Sequence, residues 1–129
     1  MKQFKLSKRS LDNLACVHVD LVRVVKRAIE ITDVDFVVIE GWRDEAKQRK
    51  LVAAGASQTM NSRHLTGHAV DLAAWVGGQV RWDWPLYAQI ADAMLSAARE
   101  LNVPIVWGGS WKSFRDGPHF ELDRKRYPA

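Results

Sequence analysis

A chain of 129 residues, with 19 basic and 15 acidic side chains and a net charge of +4, suits one domain able to bury a core without disulfides. The lone Cys16 can make no internal bridge, no stretch approaches the ~18 apolar residues of a membrane helix, and the opening MKQFKLSKRS lacks the apolar run and cleavage pattern of a signal peptide. The mild basic excess favours an anionic partner (nucleic acid, phospholipid or an acidic cell wall) without choosing among them, and the basic residues are spread as on an ordinary solvated surface.

Ser10 is placed to cap a short helix beginning at Leu11. Cys16 falls in an apolar helical pattern and is expected to be a buried, inert thiol. In HVDLVRVVKRAIEIT, Leu21, Val24, Val25, Ala28 and Ile29 recur at helical spacing, with Arg23, Lys26 and Arg27 between them. That predicts an amphipathic helix, with Asp20 favourably placed near its start and His18 a surface or capping residue. VDFVVIEG is short, β-branched and closed by Gly41, so a buried strand is expected. RDEAKQRKLVAAG is rich in helix formers and stops at Gly55. SQTMNSRHLTG reads as a polar loop, HAVDLAAWV as a strand, and Gly77-Gly78 as the hairpin turn into QVRW. Pro85 suits the first turn of a helix whose core stripe is Ile90, Met94, Ala97, Ala98 and Leu101. VPIVWGG and HFEL are short strands flanking the loop SWKSFRDGP. Mixed helices and hairpins predict an α+β domain, a small antiparallel sheet with helices packed against it, spanning residues 1–129. No linker or repeat divides the chain.

The chemistry sits in two polar loops. His64 and Asp71 are seven positions apart, and His119 lies far downstream. Two imidazoles and a carboxylate form a standard ligand set for Zn²⁺ with an open fourth position. Gly67 permits a tight approach, and Ala69 leaves room on the face that Asp71 shares. Asp116 precedes His119 across the Gly117-Pro118 turn, which could fold its carboxylate over the ion. A carboxylate there is what a metal-assisted hydrolase needs as general base. Glu121 points the same way as His119 and is a rival base or a partner that orients the ligand. HLTGH is not the zinc helix HExxH, because it lacks the Glu and holds Gly67; His68 is read as a non-ligand.

The spacing S-x-H-x-x-G-x-A-x-D, met by Ser62, His64, Gly67, Ala69 and Asp71, together with Asp116 three before His119, resembles the zinc peptidases of the D-Ala-D-Ala carboxypeptidase and L-alanyl-D-glutamate peptidase superfamily. The short chain and WGGSWKSFRDGPHFEL look like its phage endolysin branch, the L-alanyl-D-glutamate endopeptidases. The resemblance covers nearly the whole chain and implies specific roles. His64, Asp71 and His119 would bind Zn²⁺, and Asp116 would be the general base where other branches carry Glu. Arg43, in EGWRDEAKQ, would polarise the substrate carbonyl or bind the intermediate, and Ser62 would hold substrate or support the site. The implied activity is hydrolysis of the L-Ala–D-Glu bond of the peptidoglycan stem peptide, which lyses the cell for phage release. A D-Ala-D-Ala carboxypeptidase or dipeptidase, or a non-catalytic zinc-containing wall-binding module, are the alternatives. No separate wall-binding domain is expected, a form that suits attack on a thin Gram-negative wall from inside. The implied enzyme is a monomer that waits in the host cytoplasm for a phage membrane pore, with no stable membrane insertion. A nucleic-acid partner is not expected, because the six tryptophans fall among apolar neighbours, as core or groove walls.

Overall fold

The computed structural model describes residues 4–56, 62–112 and 115–128. Parts of two expected loops, 57–61 and 113–114, lie outside the described residues. The first helix, α1 (Lys8–Asn13), starts earlier than expected. Ser7 is its cap, with Oγ accepting the Ser10 N–H at 3.1 Å. Ser10 is instead buried inside the helix, where its Oγ accepts the Val38 N–H at 3.0 Å. Asn13 donates to the Val38 carbonyl at 2.8 Å. The cause is the strand β1 (Phe36–Glu40), which lies at the sheet edge. Its outward N–H and C=O need partners, and α1 supplies them. Both serines have cap chemistry; the edge strand decides between them. Cys16 is exposed, contrary to expectation, because α1 ends at Asn13 and no helical face carries the thiol inward.

The helix α2 (Val19–Ile31) buries the expected stripe of Leu21, Val24, Val25, Ala28 and Ile29. His18 caps it, its Nδ1 accepting the Asp20 N–H at 3.1 Å. The helix α3 (Glu45–Ala53) ends beside Gly55, as its sequence predicts. The remaining strands are β2 (Ala69–Val76), β3 (Gln79–Arg81), β4 (Ile105–Trp107) and β5 (His119–Leu122). All pairings are antiparallel, in the order β1-β2-β5-β4, with β3 joined to β2 through the Gly77-Gly78 turn. The helix α4 (Trp84–Leu101) has Pro85 in its first turn and buries Ile90, Met94, Ala97 and Ala98, while Leu101 is only partly covered. One apolar cluster joins α2 and α4 to Phe36, Leu72 and Phe120 of the sheet. Aliphatic residues and phenylalanines fill it. Of the six tryptophans, Trp107 packs against it and stacks on Phe120, while Trp42, Trp75, Trp82 and Trp84 are exposed, which corrects the core expectation for those four.

The register sorts the sheet residues into a core face and a site face. Val70 pairs with Phe120 on the core face. Ala69 pairs with Glu121 and Asp71 with His119, and cross-strand partners share a face. A register shift between Val38 and Glu40 pairs Glu40 with Asp71, bringing Glu40 to the site face as well. A 3-10 turn (Arg63–Thr66) leads into β2 and ends at Gly67, with φ +74°. A Cβ there would lie 2.4 Å from the Cys16 carbonyl oxygen, so the close passage of the two segments needs glycine.

Ser10→Ala strips the partner from a buried strand N–H. It should cost about 1–3 kcal/mol of unfolding free energy. Urea unfolding would show a lower midpoint with an unchanged slope. A midpoint equal to that of the parent protein would remove Ser10 from the edge-sealing role.

Candidate metal centre and active-site groove

His64, Asp71 and His119 meet on the site face, with one ligand atom from each lying within 4.8 Å of the others. Asp71 Oδ1 is 3.2 Å from His64 Nε2 and 3.2 Å from His119 Nδ1. Ligands held about 2.0–2.1 Å from a tetrahedral ion sit about 3.3 Å apart, so the donor set fits such an ion.

The second nitrogen of each ring is already committed. His64 Nδ1 donates to the Gly41 carbonyl at 2.8 Å, leaving Nε2 for an ion. His119 Nε2 lies 2.9 Å from Glu121 Oε1, leaving Nδ1. Such partners fix the ring and its tautomer. Ser62 Oγ accepts the His64 N–H at 3.2 Å and starts the 3-10 turn that carries this ligand. His68 stands apart, hydrogen-bonded to Thr66.

Burial alone would lower the His119 pKa, but hydrogen bonds to Asp71 and Glu121 push it up to about 9. Burial likewise opposes ionisation of Asp71, yet His119 and His64 hold its carboxyl well below the usual range. The three groups thus sit as a carboxylate flanked by imidazoles, with the His119 ring carrying its second proton at neutral pH when no ion is present.

A groove of ≈ 490 Å³ opens over the cluster, and Arg43, Ser62 and Asp116 all line it. The loop that carries Asp116 is closed by its own backbone. Asp116 N donates to the Gly108 carbonyl at 3.1 Å, and His119 N donates to the Asp116 carbonyl at 3.1 Å. A Cβ on Gly108 would lie 2.5 Å from the Asp116 carbonyl oxygen and 3.1 Å from the Cβ of His119, so this contact also needs glycine. Burial and the nearby charge of Asp71 raise the Asp116 pKa, while His119, His64 and Arg43 oppose the rise. Among the described residues no hydrogen bond reaches its carboxylate, which leaves it free to take a proton.

Arg43 is braced. Its Nε donates to Glu40 at 3.1 Å, and one terminal nitrogen donates to Gln48 at 2.7 Å. The other lies 3.9 Å from Asp71. Glu40 and Gln48 were not anticipated. Gln48 is the one buried residue of α3, a helix without an apolar stripe. That missing stripe is the signal that α3 is anchored through polar groups. Glu121 is buried and bonded to His119, Arg124 and, more distantly, Arg63, which favours the orienting role over that of a rival base. Trp111 is a groove wall, as its sequence context implies, and its ring packs 5.2 Å from that of His119.

The chain matches the family described as phage L-alanyl-D-glutamate peptidase over residues 2–128. It is 32% identical over 128 residues to the L-alanyl-D-glutamate peptidase of Escherichia phage T5, covering 96% of this chain and 93% of that protein. It is 34% identical over 98 residues to the L-alanyl-D-glutamate peptidase of Listeria phage A118, covering 76% of this chain and 34% of that longer protein. Among solved structures it resembles the Serratia marcescens L-Ala D-Glu endopeptidase ChiX, with a TM-score of 0.93 and 52% identity over 99% of this chain and 96% of that one.

The raised His119 pKa sets the proton balance of metal uptake. Below about pH 9 an ion must displace the proton that His119 holds, so affinity weakens as pH falls. Calorimetric titration of metal-free protein with a divalent ion near neutral pH, in buffers of different ionisation enthalpy, should report release of roughly one proton. The share of that release contributed by His119 should fall away as pH rises through about 9. Proton-free binding at neutral pH would contradict the assigned state of His119.

Proposed function

The chain belongs to the phage L-alanyl-D-glutamate peptidase family, and on that footing we propose that it is a zinc-dependent peptidoglycan endopeptidase that hydrolyses the L-Ala–D-Glu bond of the stem peptide. One observation carries the reading: three donors converge within 4.8 Å beneath an open groove whose wall holds a carboxylate of raised pKa. A purely structural zinc site would close its fourth position with another ligand, whereas this face opens to the groove. The carboxypeptidase alternative is less favoured, because the matching family and relatives carry the name of the L-Ala–D-Glu bond.

His64 through Nε2, Asp71, and His119 through Nδ1 would hold the ion. When bound, Zn²⁺ polarises a carbonyl and lowers the pKa of a coordinated water toward ~7. Asp116 takes the proton of the attacking water and delivers it to the leaving amine; its raised pKa suits both transfers. Arg43, locked by Glu40 and Gln48, offers fixed positive charge to the developing oxyanion without having to reorganise. Ser62 sets the turn that presents His64. Glu121 keeps the His119 ring in its ligating tautomer.

No described helix is long and apolar enough to cross a membrane. In a phage infection the enzyme would act as a monomeric endolysin, held in the host cytoplasm until a membrane pore opens the way to the wall.

Mass spectrometry of digested sacculi tests the bond. The expected products carry a new N-terminal D-glutamate; loss of terminal D-alanine alone would favour the carboxypeptidase. In the same assay Asp116→Asn should bind zinc and fold normally yet lose roughly 10²–10⁴-fold in turnover. Glu121→Gln should act mainly on metal affinity, weakening it roughly 10–100-fold. The reverse pattern would transfer the base role to Glu121.

A further inference from the structure

Four arginines line the groove, and three of them lie within ion-pair distance of a protein carboxylate. Arg43 is bound to Glu40 and Gln48. Arg63 is buried and donates to the carbonyls of Leu122 and Tyr127. Arg124 donates to Glu121 at 3.2 Å. Arg115 differs. Its Nε donates to the Gly109 carbonyl at 3.0 Å, and its guanidinium carbon lies 4.3 Å from the centre of the Trp84 ring. Among the described residues no carboxylate pairs with it, although it is exposed at the groove and adjacent in sequence to Asp116.

This arrangement is pre-organised. The Trp84 ring and the Gly109 carbonyl fix the guanidinium plane, while the terminal N–H donors have no protein partner among the described residues. Trp84 is in turn packed edge-on against Tyr87, at 5.5 Å between ring centres. Trp84 lies outside the core and carries Arg115 on its ring face. A planar, fixed, unpaired guanidinium matches a carboxylate ligand.

The proposed substrate carries one at the right place. D-glutamate has two carboxyl groups, and the stem peptide continues through one of them. The other is a free anion on the residue whose amine leaves. It would enter a groove that already holds the carboxylates of Asp71, Asp116 and Glu121. Like charges there disfavour it unless a cation answers it.

We propose that Arg115, resting on Trp84, is the specificity residue that binds the free carboxylate of the D-glutamyl residue beside the scissile bond. This rests on the L-Ala–D-Glu reading above. The test uses two muramyl stem peptides that differ only in that group, one with the free carboxylate and one with the carboxamide. The parent enzyme should cut the acid with a kcat/KM roughly 10–100-fold above that of the amide, the range of a charge-assisted hydrogen bond. Arg115→Gln should lose this preference by slowing only the acid, and Arg115→Lys should restore part of it. Metal content and melting temperature, measured alongside, should not change. Equal slowing of both peptides by Arg115→Gln, or a parent enzyme indifferent to the amide, would overturn the assignment while leaving the L-Ala–D-Glu activity standing. Cleavage of neither peptide at this bond by the parent enzyme would overturn both.

Discussion

Asp71 Oδ1 sits 3.2 Å from a nitrogen of each of two imidazoles, and much of the site face is arranged to keep it there. The carboxylate is half-buried at the floor of the groove, a setting that is costly for a charge without partners. His119 answers it from the directly opposed position on β5, a pairing fixed by the sheet register. His64 answers it from the 3-10 turn before β2, held by Ser62, by the Gly41 carbonyl and by the close passage at Gly67. The three donors come from distant parts of the chain, and the fold removes their freedom before any ion arrives. An ion inserted among them replaces the proton that His119 otherwise carries.

Around this centre, charges are braced in two layers. On one side Glu121 holds His119 and is itself held by Arg124, with the buried Arg63 close by. On the other, Glu40 and Gln48 hold Arg43, and Lys47 caps the free side of Glu40 at 2.9 Å. Each buried charge has a counterpart, as a low-dielectric site requires. Asp116 is the exception on the acidic side: among the described residues nothing hydrogen-bonds its carboxyl, and burial raises its pKa, as the proposed general base requires. Arg115 is its counterpart on the basic side, supported by an aromatic face instead of a carboxylate.

The parts of this architecture that follow a local period were legible in the sequence. The stripe from Leu21 to Ile29 is buried as its spacing implies, and the Gly77-Gly78 turn joins the strands it was expected to join. The candidate cluster was legible because His64 and Asp71 sit in a local pattern and His119 completes a standard donor set; the sheet register brings the three together. What escaped depends on tertiary partners. Ser10 looked like a cap because nothing local reveals the edge strand it seals. Cys16 looked buried because the end of α1 was not legible. Glu40 reaches the site face through a register shift, and no alternation rule places such a shift. Trp84, expected as a core or groove wall, instead lies exposed beneath an arginine, a contact between distant parts of the chain that no local pattern announces.

In the proposed centre His64 Nε2, Asp71 and His119 Nδ1 would hold the ion, with Glu121 securing the far nitrogen of His119. A crystal structure of the zinc-loaded protein, with anomalous data collected at the zinc edge, tests it most directly. One strong peak should lie about 2.0–2.2 Å from those three atoms, with the hydrogen bond between His119 and Glu121 retained. A peak elsewhere, or His119 turned so that Nε2 meets the ion and Glu121 is released, would contradict the account.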